Sequence, residues 1–95
     1  MNIEIDGSAI LSEGSFHDAI ASALDFGPYY GGNLDALWDV LGTDVERPVR
    51  LVWHDSNISR AAMGASFSRI VDVLRAVEKE DIELQYSSRF ELVLD

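Results

Sequence analysis

The sequence predicts an α/β fold with a small three-stranded parallel sheet flanked by helices. Three observations carry this: the order strand, helices, strand, helices, strand; an apolar, β-branched central segment of strand length; and helical spacing of the apolar residues between the strands. In that order the crossovers between parallel strands are right-handed and lay helices beside the sheet. At 95 residues, with 47% hydrophobic and 9% aromatic side chains, the chain has room for one core. No repeat, low-complexity tract or linker divides it, so residues 1–95 are expected to form a single domain.

The first strand is Asn2 to Asp6, where Ile3 and Ile5 alternate with Glu4 and Asp6 before the turn residue Gly7. A helix over about 15–25 follows from Phe16, Ile20, Ala23 and Leu24, with Ser15 and Asp18 as a weak capping box and Gly27-Pro28 as the stop. A short helix runs from the good N-cap Asn33 to about Leu41, where Gly42 can supply a left-handed final residue. Val49 to His54 (VRLVWH), after Pro48, is the second strand. Ser56 to Met63 has one or two helical turns, and Phe67, Ile70, Val71, Leu74 and Val77 mark a longer amphipathic helix to about Lys79. Two segments compete for the last strand. Ile82, Leu84 and Tyr86 alternate, and so do Phe90, Leu92 and Leu94, leaving room for an extra C-terminal strand or hairpin.

Composition narrows the function. Seventeen acids against seven bases give a formal net charge of −10, which repels nucleic acid and disfavours direct binding to it. The absence of cysteine removes disulfides, thiolate nucleophiles and Cys-based zinc sites, and suits a reducing, cytoplasmic setting. The start MNIEIDGSAI has no secretory pattern, and no apolar run approaches the ~20 residues that span a bilayer. His17 and His54, the two histidines, lie in no metal-ligand spacing, so they are expected to be structural or solvent-exposed, with no metal and no cofactor. No nucleophile elbow, Walker loop or dinucleotide fingerprint occurs. Asp35 and Asp39 could in principle act as paired carboxylates, but that chemistry needs a sugar-binding cleft that so short a chain can hardly enclose, so no enzyme is expected.

The stretch Pro28 to Asp39 (PYYGGNLDALWD) concentrates three aromatics, two glycines and two acids in one loop and helix start. At ~100° per residue, Leu34, Leu37 and Leu41 share a narrow arc towards the core, while Asp35 and Asp39 lie together about 100–140° away. Trp38 falls on the border of the two faces. Like charges at i and i+4 cost a helix ~0.2–0.5 kcal/mol, and an aromatic at their edge costs solvation, so folding alone gives little reason for this face. Asp35 gains from the helix N-terminus, which accounts for one acid; it does not account for Asp39, Trp38 and Tyr29 together. Tyrosine and tryptophan beside fixed charges are the usual anchors of a tight interface. Two carboxylates on successive turns also resemble successive phosphates of an RNA strand, which a basic catalytic cleft would accept in place of its substrate.

The run YYGGNLDALWD at 29–39, with the helix before it and Pro48 ahead of a V-x-L-x-W strand, resembles the barstar family of intracellular inhibitors of bacterial ribonuclease, without gaps to about residue 80. The resemblance implies that the protein is no enzyme but blocks the basic active site of a barnase-type, extracellular-type ribonuclease. By the same resemblance Asp39 would enter the ribonuclease's phosphate site and Asp35 would sit beside it. Tyr29, Gly31, Asn33 and Trp38 would supply the remaining contacts of the loop and helix, and Glu80 an acidic contact from the long helix. It further implies a cis Arg47-Pro48 bond. The chain departs from the family founder at Asp44, where the founder has tryptophan, at Ala76, where it has glutamate, and at Val40 and Ile82, which replace its two cysteines. The segment beyond Glu80 is also longer. Such an inhibitor is expected to be cytoplasmic and monomeric when free, with a protein partner and no membrane; the competing expectation is an acidic adaptor that binds another basic protein through the same surface.

Overall fold

The computed structural model describes residues 1–95. Strands β1 (Asn2–Asp6), β2 (Val49–His54) and β3 (Phe90–Leu94) form one parallel sheet in the order β1-β2-β3. Helices α1 (Glu13–Leu24) and α2 (Leu34–Thr43) connect β1 to β2, and α3 (Ser56–Met63) and α4 (Ala65–Glu83) connect β2 to β3. The α/β sheet expected from the sequence is therefore present, and Phe90–Leu94 is its third strand. Ile82–Tyr86 is not a strand, and no hairpin is added. Ile82 and Glu83 are the last residues of α4 and Leu84 is its C-cap.

The register decides which face is buried. Ile3 pairs with Leu51 and Leu51 with Leu92, Val49 pairs with Phe90 and Ile5 with Trp53; all are buried. Against them pack Phe16 and Ile20 of α1, Leu37 and Leu41 of α2, and Phe67, Ile70, Leu74 and Val77 of α4. The opposite face of the sheet lies open, and its strands alternate buried and open residues instead of reading as continuous apolar runs. Charged pairs line that face: Arg50 with Glu91 at 3.1 Å, and His54 with both Glu4 and Asp95 at 2.7 Å.

The helix ends follow capping chemistry more closely than periodicity did. Ser12, not Ser15, caps α1; Ser15 is the returning half of a capping box with it, while Asp25 in the left-handed region closes the helix. Helix α2 passes through Gly42 and ends at Thr43, with Asp44 as its C-cap in ordinary right-handed geometry. The 310 turn after β1 is held by a buried relay: Trp53 Nε1–H donates to Ser59 Oγ at 3.1 Å, and the Ser59 hydroxyl donates to the Gly7 carbonyl at 2.9 Å. Gly7 must be glycine, since a Cβ there would run into the backbone carbonyls of His54 and Asp55. The Arg47-Pro48 peptide is cis.

One buried ion pair ties the two halves together beneath α2. Asp81 on α4 accepts from Arg47 Nε at 2.8 Å and from the Phe90 amide at 2.8 Å; Arg47 also donates to the carbonyls of Leu41 at 2.6 Å and Val45 at 2.8 Å. Burial alone would push the Asp81 carboxyl up. The Arg47 and Phe90 hydrogen bonds and the Arg47 charge outweigh it and hold the group below the usual carboxylate value.

Candidate functional site

The loop between α1 and α2 is fixed from inside. Tyr30 turns inward, its ring 4.9 Å from that of Phe26, and its hydroxyl lies 2.6 Å from His17 Nδ1. His17 Nε2 lies 3.2 Å from the Glu13 carboxylate, which can only accept, so the neutral ring carries its proton on Nε2 and Nδ1 accepts from Tyr30. Burial, with the Glu13 charge adding to it, pushes the Tyr30 phenol up to about 12, which keeps it a donor at all ordinary pH values. Buried His17 is thus the structural histidine expected, and its partner is the aromatic next to Tyr29. Anchoring Tyr30 turns its neighbour outward: Tyr29 is 97% exposed.

Two glycines bring the loop into α2. Gly32 has φ +66°, the left-handed region where a side chain is strained, and at Gly31 a Cβ would sit 3.2 Å from that of Ala36. Asn33 then caps α2, its side-chain oxygen accepting from the Ala36 amide at 2.8 Å. That oxygen is committed to the fold. Only the amide end of Asn33 remains for a partner.

Along α2 the wheel is as expected on its buried side, with Leu37 and Leu41 inside and Leu34 half-buried. Asp35 and Asp39 are exposed on successive turns, where i and i+4 side chains are neighbours with Cβ atoms ~5–6 Å apart. Trp38 is 37% exposed, on the border between core and surface. The exposed ridge of α2 separates two hollows. One, of about 290 Å³, is lined by Tyr29, Gly31 and Asp39 together with Val40 and Asp44. The other lies between α2 and α4 and brings Trp38 to Glu80. The structure therefore gathers Tyr29, Gly31 and Asp39 on one flank, Trp38 and Glu80 on the other, and Asp35 at the N-terminal end of the ridge.

The side-chain carboxylates of Asp35, Asp39 and Glu80 form no ion pair within the chain; of the fourteen other acids seven do and seven do not. No three His, Cys, Asp or Glu side chains are grouped to hold a metal ion, and no helix is long and apolar enough to cross a membrane. What the arrangement offers is a surface: negative charge flanked by the fully exposed Tyr29 and the border residue Trp38, on a helix and a tethered loop. Sequence reasoning missed the Tyr30–His17 anchor, and it missed Gly42, Leu84 and Tyr86, which share the hollow of Trp38 and Glu80. Four-residue spacing from Glu80 to Leu84 was the available signal, obscured by the alternation of Ile82, Leu84 and Tyr86.

A family profile described as Barstar (barnase inhibitor) matches residues 1–95, the whole chain. This chain belongs to the barstar family. It is also 36% identical over 78 residues to the Bacillus subtilis (strain 168) protein named "Putative ribonuclease inhibitor YrdF", a match covering 82% of this chain and 86% of that protein.

Proposed function

We propose that this protein inhibits a barnase-type ribonuclease by laying α2 and the loop before it across the enzyme's basic active site. Asp39 enters the phosphate-binding centre and Asp35 lies beside it. Tyr29, Gly31 and the free amide of Asn33 close one flank, and Trp38 and Glu80 the other. The observation that carries this is the unpaired state of Asp35, Asp39 and Glu80 beside two exposed aromatics, in a chain of the barstar family. Charges that the fold leaves without partners are available to a cationic cleft at little cost in lost internal contacts. The relative's name points to the same class of target.

On this basis the protein works as one domain and as a free monomer in the cytoplasm, supported by the absence of cysteine and by the acidic balance. It catalyses nothing itself. Titrating the chain into barnase while following RNA cleavage tests the proposal. Stoichiometric loss of cleavage is expected; undiminished cleavage at a tenfold excess would leave the acidic surface to a different basic protein.

A further inference from the structure

The loop that carries Tyr29 and Gly31 has almost no hydrogen bonds of its own. The Phe26 amide donates to Ala21 O at 3.0 Å, closing α1, and the Asn33 side chain opens α2. Between them no amide from Gly27 to Gly32 donates a well-formed hydrogen bond and no carbonyl there accepts one; the backbone makes only a loose turn at residues 28–29. Gly27 and Gly32, both at positive φ, add freedom to the segment. A loop with so little backbone pairing keeps one shape only where side chains hold it.

Tyr30 is the side chain that does so. Its ring lies 4.9 Å from that of Phe26, and its hydroxyl, 2.6 Å from His17 Nδ1, makes the single side-chain hydrogen bond that joins residues 27–32 to the body of the protein. That bond depends on which ring nitrogen of His17 is bare. With the proton on Nε2, Nδ1 accepts from the hydroxyl. With the proton on Nδ1, a bare Nε2 would face the Glu13 carboxylate at 3.2 Å, two acceptors with no proton between them, and the ring would compete with Tyr30 to donate. The ring is buried, so water does not replace either partner. The hydrogen bond at one imidazole nitrogen sets the protonation of the other, and here Glu13 keeps Nδ1 free for Tyr30. The capping box of Ser12 and Ser15 starts α1 and places Glu13 in its first turn, four residues before His17.

We propose that Glu13 is a positioning residue for the partner-binding loop: acting through His17 and Tyr30, it holds residues 27–32 in the shape that presents Tyr29 and Gly31. It lies on α1, outside both hollows that flank α2. What the loop presents those residues to rests on the inhibitor proposal; the tether itself does not. An acid in a first helical turn has an ordinary role as well, a favourable charge at the helix N-terminus, which would change stability and leave the loop alone. The two roles differ in what they do to Tyr30.

The test uses the full chain with Glu13→Gln, Tyr30→Phe and the double variant. Glutamine keeps the shape of the side chain but offers His17 Nε2 either a donor or an acceptor, so it selects no tautomer. In the first arm the His17 ring nitrogens and the Tyr29 and Gly31 amides are followed by nitrogen NMR. The parent is expected to show a protonated Nε2 and a bare Nδ1, and Glu13→Gln a mixture of tautomers with more mobile Tyr29 and Gly31 amides. A parent ring protonated on Nδ1, or loop amides as ordered in Glu13→Gln as in the parent, overturns the tether whether or not the chain inhibits barnase. In the second arm barnase inhibition and thermal unfolding are measured for all three variants. Glu13→Gln is expected to inhibit about tenfold more weakly, the scale of one hydrogen bond, and to add nothing to the loss already present in Tyr30→Phe. Additive losses in the double variant, or inhibition by Glu13→Gln equal to the parent's, overturn the positioning role while the inhibitor proposal stands. A parent that does not inhibit barnase overturns the inhibitor proposal, and the first arm then decides the tether.

Discussion

Asp81 and Asp39 carry the same charge on helices that pack against each other, and the fold uses them in opposite ways. Asp81 is buried, accepts from the Arg47 guanidinium and from the first amide of β3, and so joins α4, the 45–48 connection and the sheet. Asp39 is exposed and its carboxylate makes no hydrogen bond or ion pair within the chain. Their difference separates the charges that build this protein from those it presents. An acid with a full set of partners is spent on stability, and one with none is free for a partner molecule.

The largest expected effect falls on the building side. Asp81→Ala leaves Arg47 buried without its counter-charge and should cost about 3–5 kcal/mol of folding stability, read by denaturant unfolding. The sign of the pH dependence follows from the lowered Asp81 value. Its contribution is fully present above the ordinary carboxylate pKa of about 4 and is lost as pH falls through the folded value, so the parent should lose stability in acid more steeply than Asp81→Ala. Equal acid sensitivity would remove Asp81 from that role.

Trp38 belongs to both sides, being half in the core and half on the surface. Trp38→Ala should lower stability by roughly 1–2 kcal/mol and also weaken inhibition, whereas a purely structural residue would change the first alone.

Ionic strength should act on the presented charges only. Association with a basic nuclease is expected to be fast at low salt and to slow markedly as exposed carboxylates are screened, while unfolding changes little; barnase and barstar are themselves the reference case for such steering, so the expectation is borrowed from them. A salt-independent on-rate in stopped-flow mixing would contradict it.

The smallest effect belongs to His54 on the open face of the sheet. Hydrogen bonds to Glu4 and then Asp95 hold its imidazole above the usual histidine value. Its contribution is therefore present below about pH 6.5 and lost as pH rises through the higher folded value. His54→Gln should flatten the drop in unfolding temperature across that window, and an unchanged profile would show that the exposed pairs contribute nothing.

Much of this division was legible in the sequence, for reasons of period and composition. Leu34, Leu37 and Leu41 on one arc left Asp35 and Asp39 on another, and the structure buries Leu37 and Leu41 while exposing both acids. The alternation of Phe90, Leu92 and Leu94 offered the third strand without separating it from the competing segment at 82–86, and the structure places the strand at Phe90–Leu94. The same alternation in Ile82, Leu84 and Tyr86 misled, because a three-residue pattern cannot separate the end of a helix from a short strand, and the Schellman turn that ends α4 has Gln85 where glycine would have signalled it. Gly42 misled in the other direction: a glycine near a helix end signals a stop, and here it is held inside the helix beside the hollow. The pairing of Arg47 with Asp81, 34 residues apart, leaves no local trace at all.

The most direct test of the separation between built and presented charge is Asp39→Ala, with thermal unfolding and barnase inhibition measured on the same preparation. The carboxylate has no hydrogen bond or ion pair in the fold, a like-charge repulsion with Asp35 is relieved, and alanine is the better helix former, so stability should hold or rise by up to ~1 kcal/mol. Inhibition should fall by about 2–5 kcal/mol in binding, the range for truncating one member of a buried charge pair. A variant that inhibits as well as the parent, or one that loses stability in step with inhibition, would contradict the account.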